Sequence, residues 1–351
     1  MSPLVRKHSL TGGAIDALAT AAVYEDWIVT AVRTGGGALK LIVWKNDGTE
    51  LQRAGEVTVG PVEDLSACRM GYARVATACR GPSGKLSLAL WQVTPEGDIH
   101  LTDSAGAGVM SKAAPVGLGE TTLATPLIDS DGNLKVIAWA ASDDGELTRC
   151  GDASGGRVSV IATDRWADGR FVTALRNASG DLELILWVVL PSGEVERLGE
   201  ATAGSVSAVD VIRNNWVFSL EAQEFITAVR DADSRLKLIA WEARSDGAIE
   251  RLGDLSGPYC SKPSLAWLGI TRHVVAYREA DGDLRVQCFY WGAVSDPANP
   301  MVPTGDDFEL RESAGAGAVS MIGVETAGTV HVATAVRNGS GNLQVILWAL
   351  E

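Results

Sequence analysis

Short runs of hydrophobic residues alternate with polar breaks along the whole chain, and one pattern recurs. Its clearest copy is residues 170–211, RFVTALRNASGDLELILWVVLPSGEVERLGEATAGSVSAVDV. RFVTALR is an apolar run rich in β-formers. NASGD is a turn, because Asn and Gly tolerate positive φ while Ser and Asp bond locally to backbone. LELILWVV is a second apolar run and LPSG a second turn. EVERLGEATA alternates loosely and is more polar. VSAVDV follows a Gly break as a fourth run. Four short strands joined by tight turns predict one antiparallel sheet.

The unit repeats. Its second-strand phrase Leu-x-[Leu/Val]-x-x-Trp places Trp44, Trp91, Trp139, Trp187, Trp241 and Trp348 in register. In DLRVQCFYW, Phe289 holds that position and Trp291 lies two residues on. The first strand recurs as VTAVR, ATACR, TPLID, VTALR, ITAVR, VAYRE and ATAVR, seven copies in all. A period of roughly 40–50 residues is that of a four-stranded propeller blade. The last copy, HVATAVRNGSGNLQVILWALE, stops after its second strand. The N-terminal LVRKHSLTGGAIDALATAAVY reads as the missing third and fourth strands. Joining the two ends closes a ring and removes exposed sheet edges. The expectation is an all-β, seven-bladed β-propeller of four-stranded antiparallel blades, one domain over residues 1–351. The closing blade comprises 4–24 plus 329–351, and the others lie near 26–69, 71–118, 121–164, 169–213, 224–268 and 272–324. Within each blade the strands are expected in chain order from the axis outward. Two insertions, 213–223 and 292–307, then fall on one face of the disc, where function tends to sit on long loops.

Composition narrows the partners. Lys+Arg 30 against Asp+Glu 44 gives a net charge of −14, which repels nucleic acid and anionic membranes. No apolar run approaches a membrane span, and MSPLVRKHSL lacks a secretory apolar core. The expected location is therefore the cytoplasm, or release without a signal peptide. The five Cys (68, 79, 150, 260, 288) are scattered without metal spacing and fit reduced, mostly buried thiols. No metal or cofactor is expected: phosphate-loop, dinucleotide, Gly-x-Ser-x-Gly and His-Glu-x-x-His motifs are all absent. The turns DSDGN, DADSR and ADGD lack a distal carboxylate for calcium and read as plain turns.

Candidate chemistry lies on the insertion-bearing face. Four tryptophans stand outside the register, Trp27, Trp166, Trp216 and Trp267, and an indole can stack on a sugar ring or flat ligand. The alternative for them is capping of the blade core. The register tryptophans are expected to pack between blades. Three residues before the register Thr, the copies read Trp27, Arg74, Thr122, Arg170, Glu224, Arg272 and His331, with His273 one further on. This varied ring is expected at the mouth of the central channel. Its Arg and His residues could bind an anion, and His331 or His273 with Glu224 could serve acid–base chemistry. Arg33, Arg80, Arg176, Arg230, Arg278 and Arg337 close the first strand in six copies. They are expected to pair with turn carboxylates such as Asp181, Asp231 or Asp283.

The phrase SDGNLKVIAW resembles the Asp-Gly-x-Leu-x-Val phrase of bacterial propeller lectins, repeated once per blade. That resemblance implies sugar sites in clefts between blades, with aromatics repeated around the ring. The off-register tryptophans do not repeat in that way. Sialidase-type Asp boxes and the Gly-His and Trp-Asp signatures of WD repeats are absent. The leading expectation is a non-enzymatic, lectin-like protein with a glycan or small-molecule ligand near Trp166, Trp216, Arg170, Glu224 and His331. The alternatives are a cofactor-independent lyase, hydrolase or cyclase in the funnel, and a protein-interaction platform.

Overall fold

The computed structural model describes the backbone of residues 4–167, 169–214, 221–268, 272–291, 295–296, 299–303 and 308–351, and their side chains except at 295–296, 299–303 and 308–312. All regular structure among them is β. Blade four shows the pattern: 158–165 pairs with Arg170–Asn177, that strand with Asp181–Val189, and that one with 195–205, each antiparallel. The same four-strand order recurs to give seven blades.

The pairing corrects the strand order expected from sequence. The fourth run of each copy is not the outer strand of its own blade. VSAVDV pairs with the ITAVR strand of the following copy, so it opens the next blade. Its equivalents, 15–23, 64–70, 110–117, 158–165, 206–213, 261–267 and 319–326, touch one another in a closed cycle and form the innermost ring. The polar third run is outermost. Physical reasons agree with this. An outer strand is exposed at its edge as well as on its faces, and EVERLGEATA is polar accordingly. Strands converging on an axis need small side chains, and ALATAAV and VSAVDV supply them.

The chain passes from the outer edge of one blade to the inner edge of the next without leaving extended pairing, as in the continuous strand Val195–Arg213. A glycine marks many of these passages, among them Gly60, Gly108, Gly156, Gly204 and Gly257. Closure also differs in detail from the expectation. Residues 4–14 form the outer strand of blade seven against Asn342–Leu350, and 15–23 become the inner strand of blade one. The ring is thus closed three strands to one, with the C-terminal end supplying three.

The register tryptophans hold the blades together in two directions. Each indole N–H donates to the Thr of the neighbouring strand at 2.9–3.1 Å: Trp44 to Thr30, Trp91 to Thr77, Trp139 to Thr125, Trp187 to Thr173, Trp241 to Thr227 and Trp348 to Thr334. The rings pack against the preceding blade. Trp91 joins Val29, Leu41 and Val43 of blade one, and Trp241 joins Val172, Leu184 and Leu186 of blade four. This bears out packing between blades, and the donated bond satisfies a buried polar atom.

Backbones approach closely where blades meet at the rim. A Cβ on Gly199 would lie 1.8 Å from the Gly247 carbonyl oxygen, and Gly247 itself sits at φ +97. Only glycine at both places allows that contact. The pairs Gly55–Gly97 and Gly151–Gly193 repeat it elsewhere in the ring.

Candidate functional site

The innermost strands carry the first notable chemistry. Besides Asp16 and Asp64 at the strand starts, three carboxylates interrupt their small apolar residues: Asp164 in blade four, Asp210 in blade five and Glu325 in blade seven. Each bonds across to the next blade. Asp164 accepts from the Arg213 backbone N–H at 2.5 Å, Asp210 from that of Leu265 at 2.7 Å, and Glu325 from the Thr20 hydroxyl at 3.2 Å. Arg213 also donates to the Trp166 carbonyl at 3.0 Å, while Arg69 donates to that of Gly71 at 2.5 Å. Burial pushes the Glu325 carboxyl up to about 8, with Asp210 and Asp164 adding repulsion against the Thr20 bond and Arg69. Burial likewise raises Asp210 to about 6, opposed by the Leu265 and Val211 N–H groups. Asp164 is raised by burial too, against the bonds and charges of Arg213 and Arg165. The chemistry is that of a proton-sensitive seam between blades: these carboxylates staple the inner ring. Sequence reasoning overlooked them because their strand was placed at the rim. The signal was an acidic residue inside an otherwise small and apolar run.

The second feature lies on the face carrying the inner-to-second and third-to-outer loops. Antiparallel alternation puts both loop types, and hence both insertions, on that one face. There Tyr24, Glu25, Asp26, Trp27, Tyr72 and Pro95 line a depression of about 420 Å³ between blades one and two. Tyr24 meets Trp27 edge-on (5.3 Å between centroids, 65°) and Tyr72 likewise (4.9 Å, 86°). The Tyr24 backbone takes φ 52, its N–H donates to the Tyr72 carbonyl, and its hydroxyl donates to the Val93 carbonyl at 2.8 Å. Both bonds cross to blade two, so this aromatic set bridges the blades. Tyr72 remains 53 % exposed. Among the described residues, Tyr72, Leu101, Val109, Tyr259 and Val330 are the large apolar side chains most open to water.

The residues expected as a ligand site are scattered around this face. Trp27, Arg74, Arg170, Glu224, Arg272 and His331 sit one strand out from the axis, because their strand is second rather than innermost, while Trp267 ends an innermost strand and Trp166 follows one. Trp166 is 2 % exposed and lies beneath the Arg170 guanidinium, 5.5 Å from the ring centroid. Its face is thus covered, which corrects the expectation that a sugar stacks on it. Trp27 is buried in the core between blades one and two, with Lys45 5.2 Å from its ring. Trp267 is half-buried. Trp216 lies outside the described residues, as do most of the insertion residues around it. In the other insertion, Ser295–Asp296 pairs with Asn299–Pro303 as a separate ribbon.

The polar candidates do not converge. Arg74 reaches the Ser142 carbonyl of blade three at 3.4 Å, and Arg272 lies 5.8 Å from the Tyr290 ring. Glu224 accepts from Asn214 at 2.7 Å and from the Trp291 indole of blade six at 3.0 Å. His331 belongs to blade seven, and its charged neighbours are Lys7 and Asp26; burial holds its pKa below the usual histidine value. His273 is wholly buried, stacked on Phe289 at 5.4 Å and 21°. Burial drives it down to about 3, so it is neutral and has no access to a mouth. Its equivalents in other blades are Ile28, Val75, Phe171 and Phe225, all core residues. The acid–base pairing of His273 with Glu224 is thereby corrected.

The repeated arginines are structural, as expected: Arg80 pairs with the turn carboxylate Glu63 at 3.1 Å and Arg33 with Asp16 at 3.0 Å, while others take different partners. Arg33 Nε donates to the Val62 carbonyl at 2.8 Å and Arg337 Nε to that of Ile15 at 2.6 Å, each reaching the next blade. Arg176 and Arg230 reach Ser159 and Ser207 on the inner strand of their own blade. The turn residues Asp129, Asn177, Asp231 and Asn338 instead accept from backbone N–H groups of their own turns. Cys79, Cys260 and Cys288 are buried thiols, and burial pushes Cys68, Cys79 and Cys260 up to about 12. Cys150 is exposed.

This architecture is that of a seven-bladed β-propeller, and solved structures agree. The WD40 domain of coronin from Toxoplasma gondii superposes with a TM-score of 0.56 at 11% identity, covering 100% of this chain and 88% of that one. The WD40 domain of SCAP from fission yeast gives 0.52 at 10% identity, covering 99% and 98%. At such identity the likeness concerns fold alone. No family model and no curated protein matches the sequence.

Proposed function

We propose that this protein is a non-enzymatic interaction scaffold, binding a partner protein on its loop-bearing face with the cleft between blades one and two as an anchor. The observation that carries this reading is the aromatic depression itself, where Tyr72 stands 53 % exposed beside rings locked by bonds across two blades. A rigid aromatic side chain held open to water is a typical anchor of protein interfaces, where Tyr and Trp supply large contact area at low entropic cost. Likeness to WD40 domains points the same way by analogy of fold only. The lectin reading loses support because Trp166 and Trp27 are buried and, among the described residues, no ring of equivalent exposed aromatics repeats around the disc. The enzyme reading loses support because Glu224 and His331 belong to different blades and have other partners.

The test is cross-linking capture from cells with the native protein and with Tyr72→Glu, in parallel with a glycan array. A captured protein lost in Tyr72→Glu, with the melting temperature unchanged, supports the scaffold. Saturable glycan binding competed by free sugar, with capture indifferent to Tyr72, overturns it.

A further inference from the structure

We infer that the cleft between blades one and two recognises a lysine ammonium group presented by the partner; this rests on the interaction reading above and supplies its chemistry. Three observations combine. The first is geometric. Tyr24 stands nearly perpendicular to Tyr72 (86°), so these two rings form walls at an angle rather than one flat platform, with the buried Trp27 packed edge-on against Tyr24 (65°). A sugar or planar ligand stacks on a single face. A compact cation gains from several ring faces at once, because each ring offers a negative face.

The second observation is charge. Glu25 and Asp26 are exposed and line the same depression. Glu96, in the loop beside Pro95, is exposed and acts on Tyr24 electrostatically. Carboxylates beside aromatic rings favour a cationic guest over a neutral or anionic one. The chain's net charge of −14 draws basic partners toward it over a longer range.

The third observation is that these rings already attract cations from their own chain. Lys45 stands 5.2 Å from the Trp27 ring centroid, and Arg69 stands 5.9 Å from that of Tyr72. Each stands over the face of one ring. The depression that these residues line with Glu25, Asp26 and Pro95 is open to solvent and accepts a further cation from outside.

The test uses labelled full-length protein and three small probes: acetyl-Gly-Lys-Gly-amide, the same tripeptide with norleucine for lysine, and choline. Backbone amide shifts of Tyr24–Trp27 and Tyr72 are followed by NMR. The lysine tripeptide is expected to shift these amides saturably with a millimolar Kd. The norleucine tripeptide should bind about tenfold more weakly. Tyr72→Ala, on an exposed turn, should weaken the lysine tripeptide by about fivefold or more with an unchanged melting curve. Glu25→Gln with Asp26→Asn should weaken it and flatten its salt dependence. Equal binding of the norleucine tripeptide overturns the inference, and so does absence of shifts at the cleft. Choline binding there without the lysine tripeptide also overturns it, since a free small cation would then be the guest. If the tripeptide fails while Tyr72-dependent capture of a partner persists, the scaffold stands and only the lysine assignment falls. If the tripeptide binds while capture is indifferent to Tyr72, the scaffold anchor falls and the cation site stands.

Discussion

At the scale of single residues, the repeat shows how a buried hydrogen bond is either kept whole or removed whole. Six blades pair a register Trp with a register Thr. Blade six has Phe289 and Val275 at the two positions, so donor and acceptor have gone together. Leaving one partner alone would strand a buried polar atom, costing about 1–3 kcal/mol, whereas replacing both by apolar groups is nearly neutral. Thr173→Val should therefore destabilise the protein by about that amount, because the Trp187 indole loses its acceptor. Adding Trp187→Phe should recover part of this loss, and urea unfolding of the four-member cycle should give a favourable coupling near 1 kcal/mol. Strict additivity would mean that the bond contributes nothing. This much of the fold was legible in the sequence, since Leu-x-Leu-x-x-Trp and the Thr recur at fixed spacing. The displaced Trp291 was legible too, though not its bond to Glu224 in another blade. A contact between copies leaves no trace in the spacing within one copy.

At the scale of elements, the strand order was the part hidden from sequence. VSAVDV follows EVERLGEATA along the chain, and chain order alone assigns it to the same blade. What decides otherwise is three-dimensional. The polar run can face water only at the rim, and the small apolar run can fit only at the axis. With that order, Asp164, Asp210 and Glu325 move from an exposed rim to the inner ring. Their titration then bears on stability. A carboxyl whose folded pKa is raised binds its proton more tightly in the native state, so its contribution is full below the unfolded pKa and is lost as pH rises through the folded one. For Asp210 the span runs from 3.8 to about 6, and for Glu325 from 4.5 to about 8. The melting temperature should therefore fall as pH is raised from about 5 to about 8. Glu325→Gln, which keeps an acceptor for Thr20 without the charge, should flatten the upper part of that slope. A melting temperature that rises over the same range would show that these carboxyls are stabilised as anions. The depressed carboxyls Asp152 and Asp254, paired with Lys135 and Lys237, work in the opposite sense and act only in stronger acid.

At the scale of the whole molecule, the closure of the ring makes the N-terminal strand two elements with different duties. Residues 4–14 lie at the outer edge of blade seven, where only one neighbouring strand is lost with them. Residues 15–23 belong to the inner ring, pair with Trp27–Thr34, and carry the Thr20 that bonds Glu325 across the seam. A truncation series should separate the two. Removing residues 1–14 exposes the free edge of Asn342–Leu350, with its unpaired N–H and C=O groups. The expected product is folded but prone to edge-to-edge association, seen as higher species in size-exclusion chromatography with a lowered melting temperature. Removing residues 1–24 opens the inner ring itself and uncovers Val29, Ala31 and Val75 of the core between blades one and two. Because each blade is braced by both neighbours, a gap at the axis leaves two blade faces unpacked, and the chain should lose its cooperative transition. The discriminating measurement is the melting curve of the shorter truncation set beside that of the longer one. Equal collapse of both would mean that the outer strand is as essential as the inner, and that closure depends on the rim rather than the axis. A sharp transition retained by the longer truncation would mean that the remaining inner strands hold a stable disc without the seam between Thr20 and Glu325.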